Sequence, residues 1–316
     1  MQKNPVRHHT VPRFYLAGFA EGKRLRAIDI ATAKSFDTNT SDATIENHFY
    51  SIPNHPTNPS IFEDELAQVE SEAAVILAAA RRGEWPLNSD DRLVFAEFMT
   101  LQHLRGQDHR LQLHHVLATI LRRLAEQDPT EFERIAKLPG APAGLSTSTS
   151  ELPPLASSAS HIQQIVTLLP QLMRFFLERT WTLVKFESPS LLTSDAPITP
   201  VPHPNSDQSV GLGLENARAM LFPLTRHAGL IMQSAGTLES LAGLTDDIEA
   251  GRFDQVMPGD EVSRRMFNNN TVMHAHQRVY HHPDDGQLVP DDVTALSARG
   301  GRIDFENPPA GLRPAR

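Results

Sequence analysis

The sequence predicts an α+β fold that is mainly helical, with an N-terminal β-hairpin and a small, mainly antiparallel sheet formed largely by the C-terminal half. Apolar residues recur at spacings of three and four between Ile61 and Arg82, as in an amphipathic helix. Polar and apolar residues alternate between Arg24 and Ile30, as in a half-buried strand. Strand-like segments between residues 181 and 232 are joined in pairs by connections too short for crossover helices, which favours antiparallel pairing.

The elements that follow the first strand are a turn, two more strands and a loop. Residues 31–34 turn the chain back and complete the hairpin. Alternation predicts another strand over residues 45–52, in which every second side chain shares a face. One such face would carry Glu46, His48 and Tyr50. Prolines and asparagine then predict a loop over residues 53–59.

Two further helices are predicted after the helix that ends at Arg82. Ser89 is the expected N-cap of the second, which runs to about Gln127 with a break near Gly106. The segment Asp128-Pro129-Thr130-Glu131 has an N-cap, a first-turn proline and a capping-box glutamate in the correct order. A third helix is therefore expected to extend to about Leu138.

The C-terminal half is predicted to start after a linker. Residues 139–160 are rich in proline, glycine, alanine, serine and threonine, which is typical of a flexible loop or linker. The predicted elements that follow are a helix over 160–179 bent at Pro170, strands at 181–186, 191–193, 220–224 and 229–232, a helix over 262–277, a short strand at 278–280 and a helix over 292–298. The predicted parts are therefore 1–138, the linker 139–160 and 161–316, with one integrated domain as the alternative.

Composition excludes several classes of protein. The 316-residue chain contains no cysteine, which excludes disulfide scaffolds, thiolate zinc sites and cysteine nucleophiles. Its net charge of −9 argues against coating nucleic acid by bulk electrostatics. No apolar run approaches the roughly 20 residues that span a bilayer. A soluble cytoplasmic protein without a membrane segment is expected.

Many polar functional groups lie near the start of the chain, between Arg7 and Leu16. Two imidazoles, His8 and His9, are followed by the guanidinium of Arg13 and the phenol of Tyr15. The apolar residues among them can anchor the segment in a core while the polar heads project. The segment is therefore predicted to be fixed in place and to contribute to a site.

Two predicted helices also carry polar residues on inward faces. On the second helix the apolar stripe continues to Gln102, Arg105 and His109, which must either satisfy interior carbonyls or line a cleft. On the first helix Glu63 and Glu70 are seven residues apart on one face. Such paired carboxylates can serve a metal or a water molecule, and solvated helix charges are the alternative.

The end of a predicted strand supplies a third group of candidate site residues. Ser194 and Asp195 follow an apolar strand directly, and strand ends often hold catalytic carboxylates and hydroxyls. An Asx-type turn, in which the Asp195 side chain bonds its own backbone, explains the same residues equally well. A Ser-His-Asp triad built on Ser194 lacks the Gly-x-Ser-x-Gly elbow.

Any metal must be bound without thiolates. A divalent metal is left open as a cofactor, with His8, His9 and Asp195 as the expected ligands. No histidine pair has the spacing of the His-Glu-x-x-His helix, so the later pairs are interpreted as surface histidines.

Five segments together resemble a bacterial family known as domain of unknown function 4238. They are His8–Leu16, Glu46–Tyr50, Glu63–Glu70, Leu101–Arg105 and Leu192–Pro197. The order and spacing of these segments match over most of the chain. The resemblance implies a bacterial cytosolic protein and brings no established activity.

The resemblance also selects polar residues, which lead to a first hypothesis. It singles out His8, His9, Arg13, Tyr15, Glu46, Tyr50, Glu70, Gln102, Arg105, Ser194 and Asp195. The hypothesis is a hydrolase, with or without a metal, that acts on a phosphate ester or other anionic substrate. His9, Glu70 and Asp195 would be catalytic, while Arg13, Tyr15, Tyr50, Gln102, Arg105 and Ser194 would contact the substrate, with His8 and Glu46 as further site candidates.

Two other functions stay open. The same residues would form an enclosed polar network in a non-catalytic binding or regulatory protein, in which they lock the N-terminus to the helices. A nucleic-acid-acting effector would need a local basic surface on this acidic chain. Whether the protein is an enzyme, and its oligomeric state, stay open at this point.

Overall fold

The α+β fold class is confirmed by a computed structural model, in which helices accompany three mainly antiparallel groups of strands. The structure describes residues 7–47, 61–106, 121–137, 158–204, 212–235 and 243–299. The strands are β1 Arg7–His9, β2 Arg24–Asp29, β3 Ser35–Asn39, β4 Ile45–Asn47, β5 Arg179–Lys185, β6 Thr193–Ser194, β7 Thr199–Val201, β8 Ala219–Thr225, β9 Ala228–Ser234, β10 Gln255–Pro258 and β11 Arg278–His281.

The helices belong to both halves of the chain. The α-helices are α1 Arg13–Leu16, α2 Ile61–Arg82, α3 Ser89–Leu104, α4 Pro129–Ala136, α5 Ser158–Leu172, α6 Arg174–Leu177, α7 Thr245–Glu249, α8 Glu261–His274 and α9 Val293–Arg299. Short 3-10 helices span Ala17–Phe19 and Pro283–Leu288, and residues 121–127 are helical. Among the described residues, none of these helices has the length and apolar character needed to cross a membrane.

One four-stranded sheet combines both halves, in the order β3-β2-β11-β6. Strands β2 and β3 pair antiparallel around the turn at residues 31–34. Strand β11 pairs antiparallel with both β2 and β6. The strand at residues 191–193 was expected to pair with its neighbour in sequence, yet β6 joins β11 instead. Strands from residues 1–138 and 161–316 therefore share one sheet.

The five-stranded sheet comes from residues 179–258, in the order β10-β5-β9-β8-β7. Strands β8 and β9 form an antiparallel hairpin, and every residue of β8 is buried. Strand β10 pairs in parallel with β5 at the sheet edge. The sequence did not predict β7 and β10, because Pro200 and Pro258 weaken the strand pattern, and proline is tolerated mainly at sheet edges.

Helices α2 and α3 pack against each other and carry part of the core. Helix α2 has the bounds that its apolar spacing predicts. Helix α3 begins at Ser89, but Asn88 is its N-cap and accepts a hydrogen bond from the Asp91 amide. Asn and Ser are similar in N-cap preference, so the sequence alone did not separate them.

The later helices agree with the sequence prediction at one boundary and differ from it at another. The side chain of Asp128 caps α4 by accepting a bond from the Glu131 amide, as predicted. Helix α5 begins at Ser158, inside the segment predicted as linker, and includes Pro170. The remaining residues of that predicted linker, 139–157, lie outside the described residues.

A buried aromatic cluster holds the N-terminal segment against α3 and the five-stranded sheet. Tyr15 stacks on Phe222 of β8 with ring centroids 5.2 Å apart. Phe95 of α3 lies 6.2 Å from Trp181 of β5, and Phe98 lies 6.4 Å from Phe222. Each such buried ring contributes roughly 1.5–3 kcal/mol of hydrophobic stabilisation. The position of α1 is therefore fixed by the core of the molecule.

Candidate functional site

The N-terminal segment is held by backbone pairing and by two threonines. Strand β1 pairs antiparallel with β4, which places His8 opposite Glu46. The Thr10 amide and hydroxyl both donate to the Thr44 carbonyl, at 3.0 and 3.2 Å. The Thr44 hydroxyl donates in turn to the Val11 carbonyl. These bonds fix the backbone on both sides of His9.

A group of polar side chains links this segment to α2 and α3, and we call it the N-terminal polar network. Its members are His8, Glu63, Glu70, Gln102 and Arg105. Nδ1 of His8 lies 2.8 Å from Oε1 of Glu63. Nη1 of Arg105 donates to Oε1 of Glu70 at 2.5 Å, and its Nε donates to Oε1 of Gln102 at 3.1 Å. Nε2 of Gln102 donates to the Thr10 carbonyl at 3.1 Å.

Burial sets the electrostatics of this network. Arg105 is 1% exposed, so its guanidinium depends on protein partners in place of water, and Glu70 and Gln102 are among them. Burial raises the pKa of Glu63 above its ordinary value, His8 opposes that rise, and the charges of Asp64 and Glu70 add to it. The Glu63 carboxyl therefore holds its proton to a higher pH than an exposed glutamate.

A concave space of about 320 Å³ lies between the N-terminal segment and α2, and we call it the N-terminal cleft. Its lining residues are His9, Pro12, Arg13, Phe14, Ala67, Glu70, Ser71 and Ala74. Three residues selected from the sequence, His9, Arg13 and Glu70, thus face one cleft. Gln102 and Arg105 lie behind it through their bonds to Thr10 and Glu70.

The two basic residues of the cleft are held differently. Nδ1 of His9 lies 3.3 Å from the Ala43 carbonyl. Because a carbonyl oxygen can only accept, this bond requires the tautomer protonated at Nδ1 and makes Nε2 the basic nitrogen. Arg13 is exposed and, within the described part of the chain, forms no ion pair.

Asp195 and Ser194 are engaged elsewhere and do not line the cleft. The Asp195 carboxylate accepts from the amides of His276, Gln277 and Arg278 at 2.7, 2.7 and 2.9 Å. The buried Ser194 hydroxyl accepts from the Ala196 amide at 3.2 Å. The Ser194 bond is local, as a turn requires, but the Asp195 carboxylate holds the distant connection between α8 and β11, which the Asx-type turn did not predict.

Tyr15 is enclosed in the core. Its hydroxyl donates to the Pro223 carbonyl at 2.6 Å and lies 2.7 Å from Oγ1 of Thr193. Burial raises the pKa of Tyr15, and the hydrogen bond to Thr193 opposes the rise only in part. The Tyr15 phenol is therefore neutral and joins the N-terminal segment to β6 and β8.

The structure gives less information on the remaining predicted site residues. Glu46 is half-buried on β4. Tyr50, predicted on the same face as Glu46, lies outside the described residues. The expected metal ligands His8, His9 and Asp195 do not form a ligand set, since the described residues contain no group of three or more His, Asp or Glu side chains arranged to hold a metal. We therefore derive no step through a metal.

Sequence reasoning missed buried charged groups, among them the one that we call the Arg92 cluster: Arg92, Trp181 and Asp254. Nε of Arg92 donates to Oδ2 of Asp254 at 2.9 Å, and its guanidinium lies 4.0 Å from the centre of a Trp181 ring. The Trp181 amide donates to Oδ1 of Asp254 at 2.7 Å. Arg92 lies three residues before Phe95 on the apolar stripe of α3, and this position was the available signal.

Comparison with known proteins gives one match. A family model described as a protein of unknown function, DUF4238, matches residues 7–285. The chain belongs to this family. The matched region of this chain includes the N-terminal cleft, the N-terminal polar network and the Arg92 cluster. No curated protein matches the chain, and no solved structure matches it.

Proposed function

We propose that this family member is a hydrolase that acts on a phosphate ester or a similar anionic substrate, in the cytoplasm of a bacterium. One observation carries the proposal: His9, Arg13 and Glu70 line one cleft, although they come from three separate elements. An imidazole and an exposed guanidinium beside a concave space are the groups that acid-base chemistry on an anion needs.

Arg13 binds the anionic group in this proposal. A guanidinium donates two parallel hydrogen bonds to phosphate or carboxylate oxygens, which orients the bound group as well as attracting it. Arg13 is exposed at the cleft, and no described carboxylate is paired with it, so its charge is available to a ligand.

His9 is the proposed general base. Its Nε2 accepts a proton from a water molecule while the water oxygen forms a bond to phosphorus. The bond between phosphorus and the ester oxygen breaks, and the proton passes from His9 to the departing alkoxide, so alcohol and phosphate are released. The bond from Nδ1 to the Ala43 carbonyl supports this role because it orients the ring and fixes its tautomer.

Glu70 is a positioning residue in this scheme, held by Arg105 at 2.5 Å. The Arg105 charge offsets the repulsion that the Glu70 carboxylate would exert on an anionic substrate. Asp195 is assigned a structural role, because its carboxylate already accepts three backbone amides.

Hydrolysis of p-nitrophenyl phosphate tests the proposal. His9→Ala is expected to lower kcat by about 100-fold, the usual loss when a general base is removed. Arg13→Ala is expected to raise KM by about tenfold, because one charged hydrogen-bonding group is lost. His203→Ala and Arg24→Ala, exposed residues away from the cleft, are the matched controls. Absence of hydrolysis by the folded parent, or full activity in His9→Ala, contradicts the proposal.

The N-terminal polar network favours a second candidate, a non-catalytic binding or regulatory protein. His8 with Glu63, Arg105 with Glu70, and Gln102 with Thr10 satisfy one another and tie the segment to two helices. Titration calorimetry with inorganic phosphate separates the candidates. Binding that depends on Arg13, without turnover of p-nitrophenyl phosphate, supports the binding protein and excludes the hydrolase for this ester.

A further inference from the structure

The N-terminal cleft has an apolar side that a bare inorganic anion does not use. Pro12, Phe14, Ala67 and Ala74 form half of its lining. Phe14 is half-buried, and its ring lies 5.7 Å from the buried ring of Phe98, which holds it in place. A fixed aromatic face beside a cation provides two different contacts for one ligand.

The volume of the cleft indicates the size of the ligand group that it can hold. Its volume is about 320 Å³, which is roughly the space of ten water molecules in the liquid. This volume exceeds that of a phosphate ion and suits a ligand with one ring and one charged group. The cleft lies at the small end of ligand pockets in general and is open to solvent, so its volume describes the part of a ligand that contacts the protein.

Charge determines which end of the ligand meets which residues. Arg13 is the exposed cation of the cleft, whereas Arg105 behind it is already paired with Glu70. The anionic group is therefore placed at Arg13, with His9 from the same segment close in sequence. The apolar residues on α2, Ala67 and Ala74, are seven residues apart on the face that lines the cleft, with Glu70 and Ser71 between them, so they offer an apolar contact at each end of that face.

We infer that the ligand of the N-terminal cleft is an aryl phosphate, whose phosphate binds Arg13 and whose ring lies between Phe14 and the Ala67–Ala74 face of α2. This inference rests on the proposed function and specifies the substrate class of the same site. Burial of one ring face against these groups adds hydrophobic contact that an alkyl ester as small as methyl phosphate lacks.

Calorimetric titration of the full chain with phenyl phosphate and methyl phosphate tests the inference. The parent is expected to bind phenyl phosphate about tenfold more tightly, because about 55 Å² of additional apolar surface is buried. Ala74→Leu fills the wall of the cleft and is expected to bring the two affinities close together. Ala79→Leu, on the same helix and outside the cleft lining, is the matched control and keeps the tenfold preference.

The possible failures are distinguishable. Equal affinities in the parent, with binding that depends on Arg13, overturn the aryl preference and leave the anion site intact. A tenfold preference that survives in Ala74→Leu also overturns the inference, because the ring then binds elsewhere. Tight binding of phenyl phosphate without its hydrolysis supports the inferred ligand class and overturns the hydrolase. Absence of binding by either ester overturns the aryl phosphate site.

Discussion

The N-terminal polar network and the Arg92 cluster both place an arginine beside a carboxylate, but they differ in access to solvent. Arg92 and Asp254 have side chains that are both 0% exposed, whereas Glu70 of the Arg105 pair is 28% exposed. The Arg92 cluster is completed by backbone carbonyls and a tryptophan ring. The Arg105 pair borders the cleft. The difference in access predicts a larger cost of removing one partner where both charges are enclosed and a smaller cost where one partner reaches solvent.

The largest effect is expected in the enclosed pair. Asp254→Asn leaves the Arg92 guanidinium buried without its counter-charge and is expected to cost about 3–5 kcal/mol of unfolding free energy. Urea denaturation followed by circular dichroism measures this loss. Arg265→Ala, at an arginine whose side chain is 72% exposed, is the control. A loss from Asp254→Asn as small as that of the control would mean that the pair contributes little to stability.

A smaller effect is expected at the border of the cleft. Glu70→Gln removes the charged acceptor of Arg105 but leaves an amide oxygen at the same place, with solvent nearby. The expected loss is about 1–2 kcal/mol, since one charge-assisted bond becomes a neutral one. Glu65→Gln, at an exposed position of the same helix, is the control in the same denaturation experiment. A loss equal to that of Asp254→Asn would remove the distinction between the two regions.

The smallest effect depends on pH and concerns Glu97 on α3. Burial, and then the charge of Glu72, raise the pKa of Glu97 above its ordinary 4.5. A carboxyl whose pKa is higher in the folded protein binds more protons there than in the unfolded chain, so its contribution to stability falls as pH rises above 4.5. Glu97→Gln should therefore match the parent in acid and unfold at a slightly higher temperature near neutral pH.

Thermal unfolding from about pH 4 to about pH 8 checks this prediction. The difference between Glu97→Gln and the parent is expected to grow with pH and then to level off. A difference that is constant over the range would show that the helix position tolerates glutamine for reasons other than charge. Glu65→Gln is again the exposed control.

Local patterns predicted the elements that depend on neighbouring residues. The apolar spacing of α2 and the cap at Asp128 involve residues within a few positions of each other, so the sequence contains the complete signal. The hairpin of β2 and β3 closes over a short turn for the same reason. The pairing of β6 with β11 joins residues far apart in the chain, and no local pattern indicates which distant strand will be the partner.

The candidate site shows the same division. His9 and Arg13 were selected from the polar N-terminal segment and Glu70 from its spacing on α2, all three with the family resemblance, and the structure places them at one cleft. Their separation from Asp195 could not be predicted, because the Asp195 contacts with residues 276–278 depend on the tertiary fold. The pair of Arg92 and Asp254 spans 162 positions, and only Arg92 lies on a helical pattern that the sequence reveals.

The hydrogen bond from Tyr15 to Pro223 joins residues 208 positions apart. During synthesis the N-terminal segment leaves the ribosome early and must wait until β8 has been made before its phenol can reach this acceptor. The wall of the cleft that carries His9 and Arg13 is thus completed by sequence translated much later. Incomplete chains therefore lack the native anchor of this wall, and the proposed ligand site would be complete only in the finished molecule.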